Sequence, residues 1–88
     1  MSRISFRPSG LAGAVRDAVF YFMRIILNAE SREASDGSTI AGLLRDLGIE
    51  PGRVAVEVNL SIIKRSDHAS FHLKEGDTVE IVNFVEGG

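Results

Sequence analysis

From residue 24 onward the apolar positions change period several times, and each change marks an element. Arg24-Ile25-Ile26-Leu27-Asn28 is a dense apolar run and predicts a buried strand. Asn28 to Ser31 reads as a turn. Arg32-Glu33-Ala34 reads as a short polar return strand at a sheet edge. Ser35 to Ser38 carries the chemistry of a loop. The spacing then becomes helical: Ile40, Leu43, Leu44 and Leu47 stand at i, i+3, i+4 and i+7, so one face is apolar. Ser38 or Thr39 suits the N-cap, and Gly48 stands where a C′ glycine belongs, with Ile49 after it to close the motif. Gly42 inside this helix costs about 1 kcal/mol against alanine, and close packing is the expected reason for it. After a Pro51-Gly52 turn, Val54, Val56 and Val58 alternate with Ala55, Glu57 and Asn59, a strand with one buried face. A reversal at Asn59 to Ser61 leads into Ile62-Ile63-Lys64, and Ser66 to Ser70 fits a short helical turn. Glu75-Gly76-Asp77 is a tight turn. Thr78 to Val85 is a last strand whose apolar density predicts a central place with both faces buried.

Two strands, a crossover helix and further strands predict an α+β roll of the β-grasp kind, with a mixed sheet of about five strands and one main helix on one face. Residues 1–22 differ from this body. Arg3, Arg7 and Arg16 against Asp17 make the head net +2, whereas residues 23–88 are net −4. Four of the six aromatics, Phe6, Phe20, Tyr21 and Phe22, also lie in the head, so the body's core must be mostly Ile, Leu and Val. A signal peptide does not fit, because Arg16-Asp17 breaks the apolar stretch and no small-residue cleavage pattern follows. Met23 opens a run that reads as a natural start, so 1–22 is expected to be an added leader in front of a domain at 23–88. The ordered alternatives are an amphipathic helix with Leu11, Val15, Ala18 and Phe22 on one face, or a strand extension over Val19 to Phe22.

Composition narrows the function classes. The 88 residues suit one small domain with a thin core, too small for a deep cavity with walls of its own. Cysteine is absent, which removes a disulfide scaffold, a thiolate zinc site and a catalytic thiol. A net charge of −2 argues against a general nucleic-acid binder. No apolar stretch approaches the 18 or so residues of a membrane span, and a cytoplasmic location is expected.

The chain ends Phe84-Val85-Glu86-Gly87-Gly88 directly after a strong strand. Two glycines have no side chains and wide backbone freedom, so such a tail can thread a narrow channel and present its carboxylate to another protein. The plain alternative is a frayed end. Other candidates are weaker. His68 and His72 are four apart, but no glutamate follows His68 as a metalloprotease helix requires. Ser66, Asp67 and His68 name the hydrolase residue types without a nucleophile elbow. Gly48, Gly52 and Gly76 are single turn glycines rather than a phosphate loop. Arg53, Lys64 and Arg65 form at most a small basic patch or solvated face.

Several pieces, in this order and spacing, resemble the ThiS-type sulfur carrier of thiamine biosynthesis, a ubiquitin-like protein. They are Met23-Arg24-Ile25-Ile26-Leu27-Asn28, Thr39-Ile40-Ala41-Gly42-Leu43-Leu44, Leu47-Gly48-Ile49, Val54-Ala55-Val56-Glu57-Val58-Asn59, Glu75-Gly76-Asp77-Thr78-Val79-Glu80-Ile81-Val82 and Val85-Glu86-Gly87-Gly88. The resemblance covers residues 23–88 and none of the head. It implies that a ubiquitin-activating-type adenylating enzyme uses ATP to convert the Gly88 carboxylate to an acyl-adenylate. Sulfur from a cysteine desulfurase then gives a thiocarboxylate, and thiazole synthase receives the sulfur. By this resemblance Gly88 is the modified residue, Gly87 and Glu86 complete the tail, and Phe84 and Val85 anchor it and meet the partner. The carrier itself binds no cofactor or metal and is a protein cosubstrate rather than an enzyme. Glu86 departs from the family pattern, which commonly has a small residue there, and this puts the identity of the partner in question more than the class.

The small subunit of molybdopterin synthase has the same fold and terminal glycines, but usually a longer helical region before the third strand. Here only Gly48 to Arg53 intervene. Carriers of other sulfur pathways, ubiquitin-like ligation to lysine, and an interaction module whose tail is never activated also share the roll. A stand-alone enzyme has no site in this sequence.

Overall fold

The computed structural model describes residues 2–4 and 21–84. Its elements are β1 (Ser2–Arg3), β2 (Phe22–Leu27), β3 (Glu30–Ser35), α1 (Ile40–Asp46), β4 (Val54–Val58), β5 (Ser61–Ile63) and β6 (Thr78–Asn83), with 3-10 turns at Pro51–Arg53 and Arg65–Asp67. The sheet order is β3-β2-β6-β4-β5, with β1 also paired to β6. β2 and β6 run parallel and the other neighbours antiparallel, which is the mixed sheet expected for a β-grasp roll.

Each hairpin turns on an asparagine. Asn28-Ala29 have φ of 48° and 71°, and Asn59-Leu60 have 51° and 72°. Positive φ at both central residues is the tight turn whose twist matches a right-handed strand pair, and asparagine tolerates it best after glycine. The helix begins where the sequence predicts. Thr39 Oγ1 accepts from the Gly42 amide at 3.0 Å. The helix closes with Gly48 at φ 71°, its amide donating to Arg45 O and that of Ile49 to Leu44 O.

The core is a single aliphatic cluster between sheet and helix. Met23, Ile25 and Leu27 of β2, Val54, Val56 and Val58 of β4, and Val79 and Ile81 of β6 enclose Ile40, Leu43 and Leu44. No aromatic is fully buried among the described residues; Phe71 only packs against the cluster. Leu44 is 0% exposed. Leu44→Ala is expected to cost about 2–5 kcal/mol, read as a fall in the denaturation midpoint, because a thin core of this kind closes poorly over a cavity.

The structure corrects two expectations. The last strand, β6, is not buried on both faces. β6 is central, but its faces alternate, with Val79 and Ile81 buried while Glu80 and Val82 are only half-covered. One helix covers one face of the sheet, so the dense apolar runs serve a single layer. Gly42 is not required by packing either. A Cβ there meets Thr39 Oγ1 at 3.4 Å, an ordinary contact. Gly42→Ala is therefore expected to stabilise by about 0.5–1 kcal/mol, raising the melting midpoint. Phe22, the last residue of the strand extension considered over Val19 to Phe22, is the first residue of β2, and Ser2 and Arg3 pair with β6. Of the expected helical face, Leu11, Val15 and Ala18 lie outside the described residues, and Phe22 is in a strand. No described helix is long and apolar enough to cross a membrane.

Candidate functional site

The site is the end of β6 and the face it shares with its neighbours. Along β6 the core takes Val79 and Ile81, so Glu80 and Val82 lie on the face away from the helix. The register sets Ala55 opposite Val82 and Glu57 opposite both Glu80 and Ile62. Phe84 follows the strand, 51% exposed, and its amide donates to Arg53 O at 3.0 Å. That hydrogen bond ties Phe84 to the residue before β4. Val85, Glu86, Gly87 and Gly88, the expected tail, lie outside the described residues.

One further apolar side chain stands in solvent beside Phe84, Ile62 at 73% exposure, whereas Leu60, at 88%, lies in the β4–β5 turn at the opposite end of the sheet, where the Asn59 amide donates to Thr78 O. Ile62 and Phe84 together make a small exposed apolar patch of the kind that marks an interaction surface. Next to them is an open cleft of about 300 Å³, walled by Ala55, Ile62 and Phe84, with Lys64 and Arg65 at its margin and His68 among its lining.

Gly52 explains how Arg65 is seated there. A Cβ at Gly52 would stand 3.2 Å from Arg65 Nη1, so the glycine clears room for the guanidinium. Among the described residues no carboxylate pairs with Arg53, Lys64 or Arg65. The cleft therefore offers positive charge that no described carboxylate pairs, beside apolar surface, although the protein as a whole is acidic.

The remaining sequence candidates are placed apart. His68 is buried, and its Nε2 lies 3.1 Å from Ile63 O. A carbonyl can only accept, so that nitrogen carries the proton, and the buried Nδ1 has no partner among the described residues. His72 is exposed, with Nδ1 donating to Gly37 O at 2.9 Å. The two rings thus serve separate backbone contacts, and no group of three metal-ligating side chains occurs among the described residues. Ser66 and Asp67 sit exposed in the second 3-10 turn and do not converge with His68 on a reacting position. Gly76, at φ 84°, makes the turn into β6.

Sequence reasoning missed the residue that holds β6 in place. Asn28 reads as a turn residue, yet it is 7% exposed and its carboxamide acts as a strand substitute. Its Oδ1 accepts from the Ile81 amide at 2.7 Å, and its Nδ2 donates to Ile81 O at 3.0 Å and to Ile4 O at 2.6 Å. On the opposite flank Asn59 Oδ1 accepts from the Thr78 amide, and Asn59 Nδ2 donates to Asp77 Oδ1. The only sequence signal was that both hairpins have asparagine where the turn begins.

Residues 25–88 match the model of the ThiS family. Over 66 residues the chain is 41% identical to a thiazole synthase of Paramagnetospirillum magneticum and 42% identical to one of Magnetococcus marinus. Each alignment covers 75% of this chain but 20% of the relative, so the chain spans about a fifth of the length of the curated relatives it matches. Among solved structures, the thiamine biosynthesis protein ThiS of Geobacter metallireducens superposes with a TM-score of 0.68 at 26% identity, over 75% of this chain and 100% of that one. The superposition on that structure and a family match that runs through Gly88 lead to one assignment: the chain belongs to the ThiS family.

Proposed function

We propose that this chain is a sulfur carrier of thiamine biosynthesis and that its reactive group is the Gly88 carboxylate. The observation that carries the reading is the family match over 25–88, which takes in Gly87 and Gly88, joined to a central strand that ends at Asn83, shortly before them in sequence. A carboxylate is a poor electrophile. A partner adenylating enzyme joins it to the α-phosphorus of ATP with loss of pyrophosphate. The persulfide of a sulfur donor, a cysteine desulfurase or a relay from one, then displaces AMP to give an acyl disulfide, and a second thiol on the partner side cleaves its S–S bond, becoming part of a disulfide and leaving the thiocarboxylate on Gly88. The sulfur passes to thiazole synthase. The two relatives called thiazole synthase, each holding a stretch like this chain, support that acceptor.

On this reading the carrier supplies a tail and a docking face, and the partner supplies the ATP site. Four residues follow Phe84, enough to span roughly 14 Å when extended. Phe84, held by its bond to Arg53 O, sets the base of that reach, and Val85 and Glu86 continue it. Ile62, Phe84 and the cleft at Arg65 form the adjoining contact, apolar at the centre and cationic at the margin. It fits a partner surface with acidic residues around an apolar patch.

Intact-protein mass spectrometry tests the reading. The full chain is incubated with ATP, a sulfide source and a thiamine-pathway adenylating enzyme, and in parallel with a molybdopterin-pathway one. Replacement of one oxygen by sulfur, confined to the C-terminal fragment, is the expected result with the first enzyme. An unmodified, folded chain under both conditions refutes the carrier role, and modification by the second alone moves it to that pathway.

A further inference from the structure

The matched region starts at residue 25, so β1 lies outside it, yet β1 occupies a defined place in the sheet. β2 ends at Leu27, opposite Val79. Beyond that point β6 has no β2 partner on this side. There Arg3 pairs with Val82 and Ser2 with Asn83, immediately before Phe84.

The edge is prepared for an extended segment in two ways. Asn28 satisfies both backbone groups of Ile81 and still offers Nδ2 to the carbonyl of the incoming strand, here Ile4 O. That contact reads backbone and is indifferent to the side chain. Glu80 and Glu57 stand directly opposite each other in the β4–β6 register, a like-charge pair that destabilises a sheet unless a cation joins it. Arg3 supplies the cation, paired with Glu80, and Ile4 packs against the core on the other face. A basic residue followed by an apolar one, in extended form, is thus the pattern this edge takes.

The occupant's hold is modest. Among the described residues it consists of two register pairs, the hydrogen bond from Asn28 Nδ2 to Ile4 O, one partly buried aliphatic, and an ion pair whose arginine side chain is 53% exposed. Exposed pairs of this kind contribute little. Exposed strand edges accept foreign strands, and a weakly held segment of the same chain blocks that without forbidding it.

We propose that the Ile81–Asn83 edge of β6, with Glu80 and Glu57, is a strand-addition site for an extended basic–apolar segment of a partner protein. Residues 2–4 are its built-in, displaceable occupant. A segment added there lies beside the base of the tail, so exchange of β1 for a partner strand couples docking to access at Phe84. This holds whatever chemistry the tail performs.

The probe is a synthetic peptide of residues 1–7, titrated at up to millimolar concentration and followed by the amide signals of Val82 and Asn83. Three forms of the full chain are compared. They are the unaltered chain, a released form carrying Arg3→Glu with Ile4→Asp, and a stapled form carrying Ser2→Cys with Asn83→Cys. The staple is clean because the chain has no other cysteine, and a paired cross-strand position has the Cα spacing a disulfide needs. The expected result is binding to the released form, binding at least tenfold weaker to the unaltered chain, and none to the oxidised staple until reductant is added. Glu80→Arg in the released form is expected to weaken the peptide at least tenfold. A released form with intact core signals that ignores the peptide overturns the proposal, as does an equal response from oxidised and reduced staple. Should the released form lose its fold, the staple comparison decides alone.

Discussion

Adding one residue after Gly88 is expected to reduce thiocarboxylate formation by at least about a hundredfold while leaving the melting curve unchanged. The reacting group is the α-carboxylate of the last residue, and one more residue converts it to an amide. It also carries the new carboxylate about 3.5 Å further along the chain. A misplacement of about 1 Å already costs on the order of a hundredfold in rate at a reacting centre. The fold is not involved, since the core runs from Met23 to Ile81 and the last backbone bond described is that of Phe84 to Arg53 O. Deleting Gly87 and Gly88 is expected to give the same loss with the same stability. The check pairs intact-mass measurement of the sulfur product with a thermal melt on each variant. Normal product from the extended chain refutes the assignment of Gly88.

The second large effect is on stability. Asn28→Leu is expected to cost about 3–8 kcal/mol, a large part of the whole stability of a domain this size. Leucine leaves the buried amide and carbonyl of Ile81 without partners, at about 1–3 kcal/mol each. It also places a bulky side chain at φ 48°, which adds about 1–2 kcal/mol. Denaturant unfolding followed by circular dichroism measures the loss. Asn28→Gly separates the terms, because it keeps the backbone conformation easy and removes only the carboxamide. A leucine variant as stable as the parent shows that β6 does not depend on this residue. Hydrogen exchange is expected to report the same weakness locally, with the Ile81 amide opening before those of β4.

The helix and most strand positions were legible in the sequence because they rest on local chemistry. Ile40, Leu43 and Leu44 repeat at helical spacing and are buried, Thr39 caps, and Gly48 takes the positive φ that ends the helix. Val54, Val56 and Val58 alternate and are buried in alternation. The covering of β6 was misread, since a run such as Val79-Glu80-Ile81-Val82 does not state how many layers the fold will build around it.

The candidate site divides in the same way. The glycine pair and the aromatic before it were visible as a motif. Arg53, Lys64 and Arg65 were visible only as scattered charges, and the fold sets Arg65 over Gly52 at the margin of a cleft that ends at Phe84. The exposure of Leu60 and Ile62 was not visible at all, because an aliphatic in a hairpin looks the same in sequence whether it faces core or solvent.

By itself the sequence determined the elements, the composition of the core and the terminal motif, each of which depends on neighbours a few residues away. The tertiary structure alone decided that Asn28 stitches Ile81, that Arg3 answers Glu80, and that the start of the chain lies beside β6. Arg3 and Glu80 are 77 positions apart, and Asn28 and Ile81 are 53 apart. Polar contacts over such separations leave no periodic trace along the chain. They exist because closing the sheet brings unsatisfied backbone groups and like charges within reach of whatever side chains the topology supplies.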